Sequence, residues 1–213
     1  MQNYIAQPMK IEEKSFEIIC EEMEDSQKSL FNDDEMLIIK RVIHTSADFE
    51  YAKITKFIND PISNAISSIK QGSKIYVDTK MIKAGINARV LSRFGCELVN
   101  YVSDDDVRKE AKLRNTTRSV VSIEKACKKE SIKMFIIGNA PTALFSLIKM
   151  IEEGYVKPDF VIGVPVGFVG AEESKMEFSK LNVPSIVVQG RKGGSTIGVA
   201  MFNAILYMLD NNR

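Results

Sequence analysis

Histidine and cysteine are scarce in this chain of 213 residues, which has one histidine, His44, and three cysteines, Cys20, Cys96 and Cys127. The cysteines lie far apart, form no CxxC pair, and would leave one thiol over if two were bridged, a pattern that fits reduced thiols. Without clustered ligands of these types, a dedicated zinc or iron–sulfur site is not expected either. An excess of one charge is also missing, since 29 Lys and Arg face 28 Asp and Glu. No global positive field is available to draw in nucleic acid or an anionic membrane surface, so any recognition of an anion must be local. No stretch approaches the run of about 18 apolar residues that a membrane span needs, and the opening MQNYIAQPMKIEEK lacks the apolar core of a signal peptide. A cytoplasmic location is the expectation. Linkers of low complexity and internal repeats are absent, and residues 1–213 are expected to form one domain.

What is present is a globular composition with strongly patterned apolar residues. Ile11, Ile18, Ile19 and Met23 recur at helical spacing among acidic residues and predict an amphipathic helix. A second helix is expected to start at an Asp33/Asp34 cap and run through Met36, Leu37 and Ile39, with His44 where it runs out and a turn near Ser46 and Asp48. After a short helix over Ile62 to Ile69, β-rich runs alternate with loops and helical segments. The runs are Lys74 to Asp78, Glu97 to Val102, Met134 to Gly138, Phe160 to Val166 and Ser185 to Gly190. Such alternation implies right-handed crossovers and a mostly parallel sheet, hence a Rossmann-like three-layer αβα sandwich. The acidic triplet Asp104, Asp105 and Asp106 reads as the cap of the following helix.

Ligands of open parallel sheets bind at the carboxyl ends of the strands, and four of the loops there are unusual. The first strand ends in Asp78 and Thr79, which either face a ligand or cap the next helix. The strand MFIIG leads into Gly138, Asn139, Pro141 and Thr142, where free backbone amides at a helix start can hold an anion; an ordinary β–α turn is the alternative. The run from Gly163 to Gly170, GVPVGFVG, concentrates glycine and proline at the end of a buried strand, for a particular backbone path or for packing. The loop GRKGGST sets Arg191 and Lys192 beside two glycines before the last helix. It has neither the order GxxxxGK[ST] of a Walker loop nor the fingerprint GxGxxG. Together these loops predict a broad cleft for a large polyanion. Thr116, Thr117, Arg118 and Ser119 are a further cationic cluster or a plain helix start.

His44 is the one side chain whose ordinary pKa lies near neutrality, so it is the natural proton donor, although a cap or a satisfied core group is the alternative for a lone histidine. The segments RVIHTSADFEY, IGNAPTALF, GVPVGFVGAEESK and GRKGGS, in this order, resemble the precorrin-8X methylmutase family. PMKIEEKSFEII, YVDTKMIKAGI and TTRS match its pattern too, so the resemblance spans nearly the whole chain from Pro8 onward. Departures are small: Val120 and Val121 follow TTRS where smaller residues are expected, and Ile197 and Gly198 follow GGST.

The resemblance implies a homodimer of Rossmann-like subunits that binds a corrin precursor bearing acetate and propionate arms and moves a methyl group from ring carbon 11 to ring carbon 12. It implies no cofactor, any cobalt being carried by the tetrapyrrole substrate. His44 matches the family's catalytic histidine, acting on the macrocycle. By the same match Ser15, Arg41, Thr45, Arg118, Ser119, Asn139, Thr142, Arg191 and Lys192 are candidates for holding the arms or orienting His44, Asp78 joins the substrate-binding set from its place at the strand end, and Arg118 ranks above Lys192 because a guanidinium pairs bidentately with carboxylate. Two rivals stand beside this reading. A methyltransferase dependent on S-adenosylmethionine would need a glycine signature after its first strand, where TKMIKAG stands instead. A tetrapyrrole carrier without catalysis would need the anion loops but not His44.

Overall fold

The structure, a computed structural model, describes residues 7–210. In chain order the elements are α1 (Pro8–Glu22), α2 (Asp25–Lys28), α3 (Asp33–Ser46), α4 (Tyr51–Ile54), β1 (Thr55–Ile58), α5 (Pro61–Lys70), β2 (Lys74–Val77), α6 (Lys80–Gly85), α7 (Ala88–Ser92) and β3 (Leu98–Val99). They continue with α8 (Asp105–Leu113), α9 (Arg118–Cys127), β4 (Ile132–Ile137), α10 (Pro141–Glu152), β5 (Phe160–Gly163), α11 (Ala171–Phe178), β6 (Ser185–Val188) and α12 (Ser195–Met208).

The six strands form one sheet in the order β1-β6-β5-β4-β2-β3. All neighbours pair in parallel except β1, which runs antiparallel along β6. The parallel strands alone follow the doubly wound order 2-1-3-4-5, whose topological switch point falls between β2 and β4. The three-layer α/β expectation is thus borne out. One face of the sheet (Ile75, Val77, Met134, Ile136, Ile162, Ile186) packs on α3, α5, α6, α7 and α12. The other face (Tyr76, Phe135, Ile137, Val161, Val187) packs on α9, α10 and α11. This alternation is the period-2 geometry of a strand covered on both sides, each buried aliphatic side chain contributing about 1.5–3 kcal/mol.

Local chemistry sets the element ends that matter for function. Asn32 caps α3, its side chain accepting from the Glu35 amide at 2.9 Å while Glu35 accepts from the Asn32 amide at 3.1 Å. The cap therefore lies one residue before the expected Asp33. Helix α3 stops after Ser46, where Ala47 adopts a left-handed conformation, so His44 occupies the last turn.

Three expectations need correction. No strand was expected at Thr55–Ile58, because four residues at the sheet edge bury only part of one face. The run from Glu97 to Val102 pairs only over Leu98–Val99. The run from Phe160 to Val166 leaves the sheet after Gly163; the Val164 carbonyl then accepts the Gly194 amide at 2.9 Å, and Pro165 has no N–H to continue a ladder. Of the acidic triplet, Asp105 and Asp106 lie in the first turn of α8, but Asp104 makes no capping bond with its side chain. Lys125 bridges Asp104 and Asp106 at 2.8 and 2.7 Å.

Candidate active site

The four loops singled out in the sequence meet at the carboxyl edge of the sheet, and their floor is closed from within. Asp78 follows β2 and is 3% exposed. Its carboxylate reaches across the switch point to accept the amides of Gly138 at 3.0 Å, Asn139 at 2.8 Å and Ala140 at 2.9 Å. These are the amides that the sequence left free for an anion; Asp78, expected to face the ligand, fills that seat itself. Burial pushes the Asp78 carboxyl above its ordinary range, and the amide bonds pull it back down. Beside it Thr79 shares a hydrogen bond of 2.9 Å with Ser195 and caps α6 through the Ile82 amide. A side chain at Gly138 would place Cβ 2.9 Å from the Ser195 Cα, so glycine is what lets the β4 loop touch the start of α12.

Loop 190–194 is locked onto the β5 loop as well. The Gly167 amide donates to the Arg191 carbonyl at 3.1 Å. A Cβ at Gly193 would sit 2.2 Å from the Val164 oxygen, with φ at 148°, so only glycine fits there. Lys192 is held by acids: its amine binds the Asp48 carboxylate closely and the Glu50 carboxylate at 2.7 Å. Those bonds hold Asp48 below the ordinary carboxylate range and raise Lys192. Lys192, expected to hold a substrate arm, therefore already carries two carboxylates and ties loop 190–194 to the end of α3.

The last two turns of α3 make one wall. His44 is exposed, and its ring meets Phe16 edge to face at 5.5 Å. Arg41, one turn earlier, lies between Phe16 and Tyr207, at 4.8 and 5.3 Å from the ring centroids, and pairs with Glu12 at 2.6 Å. Arg41 is thus engaged rather than open to a ligand. Ser15 and Thr45 return their hydroxyls to backbone carbonyls four residues earlier, Ile11 and Arg41. A cavity of about 260 Å³ opens here, lined by Arg41, Thr45, Met81, Thr196, Asn203 and Tyr207. Larger clefts lie elsewhere, including one of about 510 Å³ between α8 and α9. That cleft is bordered by Lys125 and Arg114, whose charges are answered by Asp104, Asp106 and Glu124.

On the other face of the sheet, Thr117 caps α9 through the Val120 amide, and its hydroxyl meets that of Thr142 in α10 at 3.2 Å, bringing two helix starts together. Arg118 is exposed in the first turn of α9, with Ser119 half-buried next to it and Asn139 exposed on the β4 loop. Arg191 is exposed too and lies 5.6 Å from the Phe168 ring centroid. Neither Arg118 nor Arg191 is in an ion pair among the described residues. The departures after TTRS settle into packing: Val121 is buried against Val107 and Ala111, joining α8 to α9.

The sequence pattern did not single out Glu12, Asp48, Glu50 and Tyr207 as partners of site residues, nor Lys175 as a buried cation. A signal for Lys175 was available. Ala171, Ser174, Lys175 and Phe178 form the buried stripe of α11 at i, i+3, i+4 and i+7, and a lysine on such a stripe is out of place.

Among the described residues no helix is long and apolar enough to cross a membrane. A family model described as precorrin-8X methylmutase matches residues 10–208. A cobalt-precorrin-8 methylmutase of Priestia megaterium is 48% identical over 96% of this chain and 90% of its own length. The Salmonella typhimurium protein of the same name is 41% identical over 97% and 98%. The crystal structure of a precorrin-8X methyl mutase from Thermus thermophilus superposes with a TM-score of 0.83 at 36% identity, covering 94% of this chain and 95% of that one. This chain belongs to the precorrin-8X methylmutase family, isomerases of cobalamin biosynthesis.

Proposed function

We propose that the protein moves the methyl group on ring carbon 11 of precorrin-8, or of its cobalt complex, to ring carbon 12, giving hydrogenobyrinate or cobyrinate. The bond from the methyl group to carbon 11 breaks as the bond to carbon 12 forms within one molecule, so no atom is gained or lost. His44 donates a proton or a hydrogen bond to the macrocycle, which favours the tautomer that rearranges, and recovers it when the product forms. The observation that carries this reading is the placement of His44, exposed on the last turn of α3 next to Thr45, which lines the cavity, on a sheet edge that also bears two arginines in no ion pair among the described residues.

On this reading Arg118 and Arg191 hold the acetate and propionate arms, their guanidinium forks matching carboxylates. Ser119, Asn139 and Thr142 add polar contacts beside Arg118, while Ser15, Arg41 and Thr45 shape the wall behind His44. The protein supplies no cofactor; cobalt, when present, arrives with the substrate. The cobalt form is favoured because the Priestia and Salmonella relatives carry cobalt in their names. A homodimer belongs to the same proposal and is checked by light scattering coupled to gel filtration. The test of the reaction is the visible spectrum of the protein mixed anaerobically with precorrin-8 and, separately, with its cobalt complex. Appearance of the corrin product spectrum supports the reading and selects the substrate, whereas tight binding without conversion of either would make the protein a carrier.

A further inference from the structure

Among the described residues Lys175 is the one cation in the interior, at 1% exposure. Its amine donates to the Lys192 carbonyl at 2.6 Å, on the inner side of loop 190–194, and among the described residues it takes part in no ion pair. A buried ammonium without a counter-charge costs stability, and an apolar residue on the same stripe of α11 would avoid that cost. The hydrogen bond alone does not account for a lysine. Loop 190–194 is already anchored by the Gly194 bond to Val164, by the Gly167 bond to Arg191, and by Lys192 on Asp48 and Glu50. What a lysine adds over a neutral donor is charge.

We propose that Lys175 is a positioning residue for anion recognition, a buried cation that holds the Lys192 carbonyl and draws the ligand's carboxylate arms onto loop 190–194 through one layer of backbone. This rests on the reading of the site as one for a polycarboxylate tetrapyrrole. The charged group that acts on Lys175 is Glu172 on its own helix; the carbonyl it holds belongs to Lys192, whose amine binds Asp48 and Glu50. Helix α10, which packs on α11, contributes no charge that acts on it. Burial lowers its pKa to about 8, and Glu172 opposes that shift. An anion bound over the loop favours the charged amine, so the bound state takes up the proton that the free protein loses above about pH 8.

The experiment is an absorbance titration of the whole protein with cobyrinate, from pH 7 to about 9.5, for the wild type, Lys175→Met and Lys175→Gln. For the wild type, constant affinity up to about pH 8 and a progressive loss above it are expected. Lys175→Met and Lys175→Gln are expected to bind about tenfold more weakly at pH 7, the size of one charge acting across a backbone layer, and to show no fall with pH. Glutamine keeps the hydrogen bond to the loop, so weak, pH-independent binding by that variant separates charge from a loop-holding role. Wild-type affinity in Lys175→Gln, or a flat wild-type profile, overturns the proposal. The wild-type profile decides alone if neither variant folds. Absence of any wild-type binding would overturn the polycarboxylate reading and this proposal with it.

Discussion

The floor and the rim of the cleft spend their polar groups differently. On the floor each strong group is answered from within: Asp78 by three amides, Thr79 by Ser195, Lys192 by Asp48 and Glu50. On the rim His44, Arg118, Asn139 and Arg191 are exposed, and neither arginine has a carboxylate partner among the described residues. The floor therefore has its polar groups spent within the protein, and the rim is where the proposed reading puts the ligand. The contrast also explains how a doubly wound sheet discards its usual ligand seat. The switch point, where such sheets bind phosphates, is occupied by the protein's own carboxylate, which leaves the exposed rim side chains as the groups the proposed reading assigns to the substrate arms.

The sharpest way to break this comparison is at His44. His44→Ala is expected to reduce turnover of the preferred substrate by about 100- to 10,000-fold, the range for loss of a positioned proton donor, with thermal stability unchanged. Wild-type turnover in the variant would move the acid elsewhere. The floor should answer in the opposite way. Asp78→Ala strands three buried amides and should cost about 3 kcal/mol of stability by urea denaturation. The fraction that remains folded at low temperature should bind cobyrinate within about twofold of the wild type, because Asp78 faces no ligand; a large loss of affinity with intact stability would place it on the rim.

The sheet, its parallel sense and the loops that meet at its edge were legible because long β-rich runs alternate with helical ones. The glycines of GRKGGST were legible too, since Gly193 and Gly194 both have positive φ. Strand β1 was not, because four edge residues carry too little pattern. The partners of the site were illegible for another reason. Glu12 lies 29 residues from Arg41, Asp48 lies 144 from Lys192, and Asp78 lies 60 from Gly138. No local spacing encodes such pairings, so cations were counted as open that the fold had already paired. The order of strands across the switch point decided the fate of Asp78, and that order appears only once the chain is folded.

The rim arginines give a middle-sized test. Arg118→Ala and Arg191→Ala should each weaken cobyrinate binding by about tenfold, the worth of a charge-assisted hydrogen bond, and leave stability within about 0.5 kcal/mol. Arg118→Lys should recover only part of the loss, because an ammonium cannot form the bidentate fork. Losses that fall mainly on stability would assign these residues to the scaffold.

The smallest effect is expected at Lys192, where floor and rim touch. Its amine and its two carboxylates are partly exposed, and solvent screening makes pairs of this kind weak. Lys192→Met should therefore lower stability at pH 7 only slightly and weaken cobyrinate binding less than either arginine variant. The pH dependence fixes the cause. Asp48 is depressed in the folded protein, so its contribution is present above the unfolded carboxylate pKa of about 3.9 and is lost as pH falls through the lower folded value. The stability difference between wild type and Lys192→Met should shrink steadily below about pH 4 as Asp48 is protonated. A difference that persists in acid would mean that the lysine stem packs loop 190–194 rather than pairing it. A loss of ligand affinity as large as that of Arg118→Ala would mean that Lys192 leaves its carboxylates for the substrate.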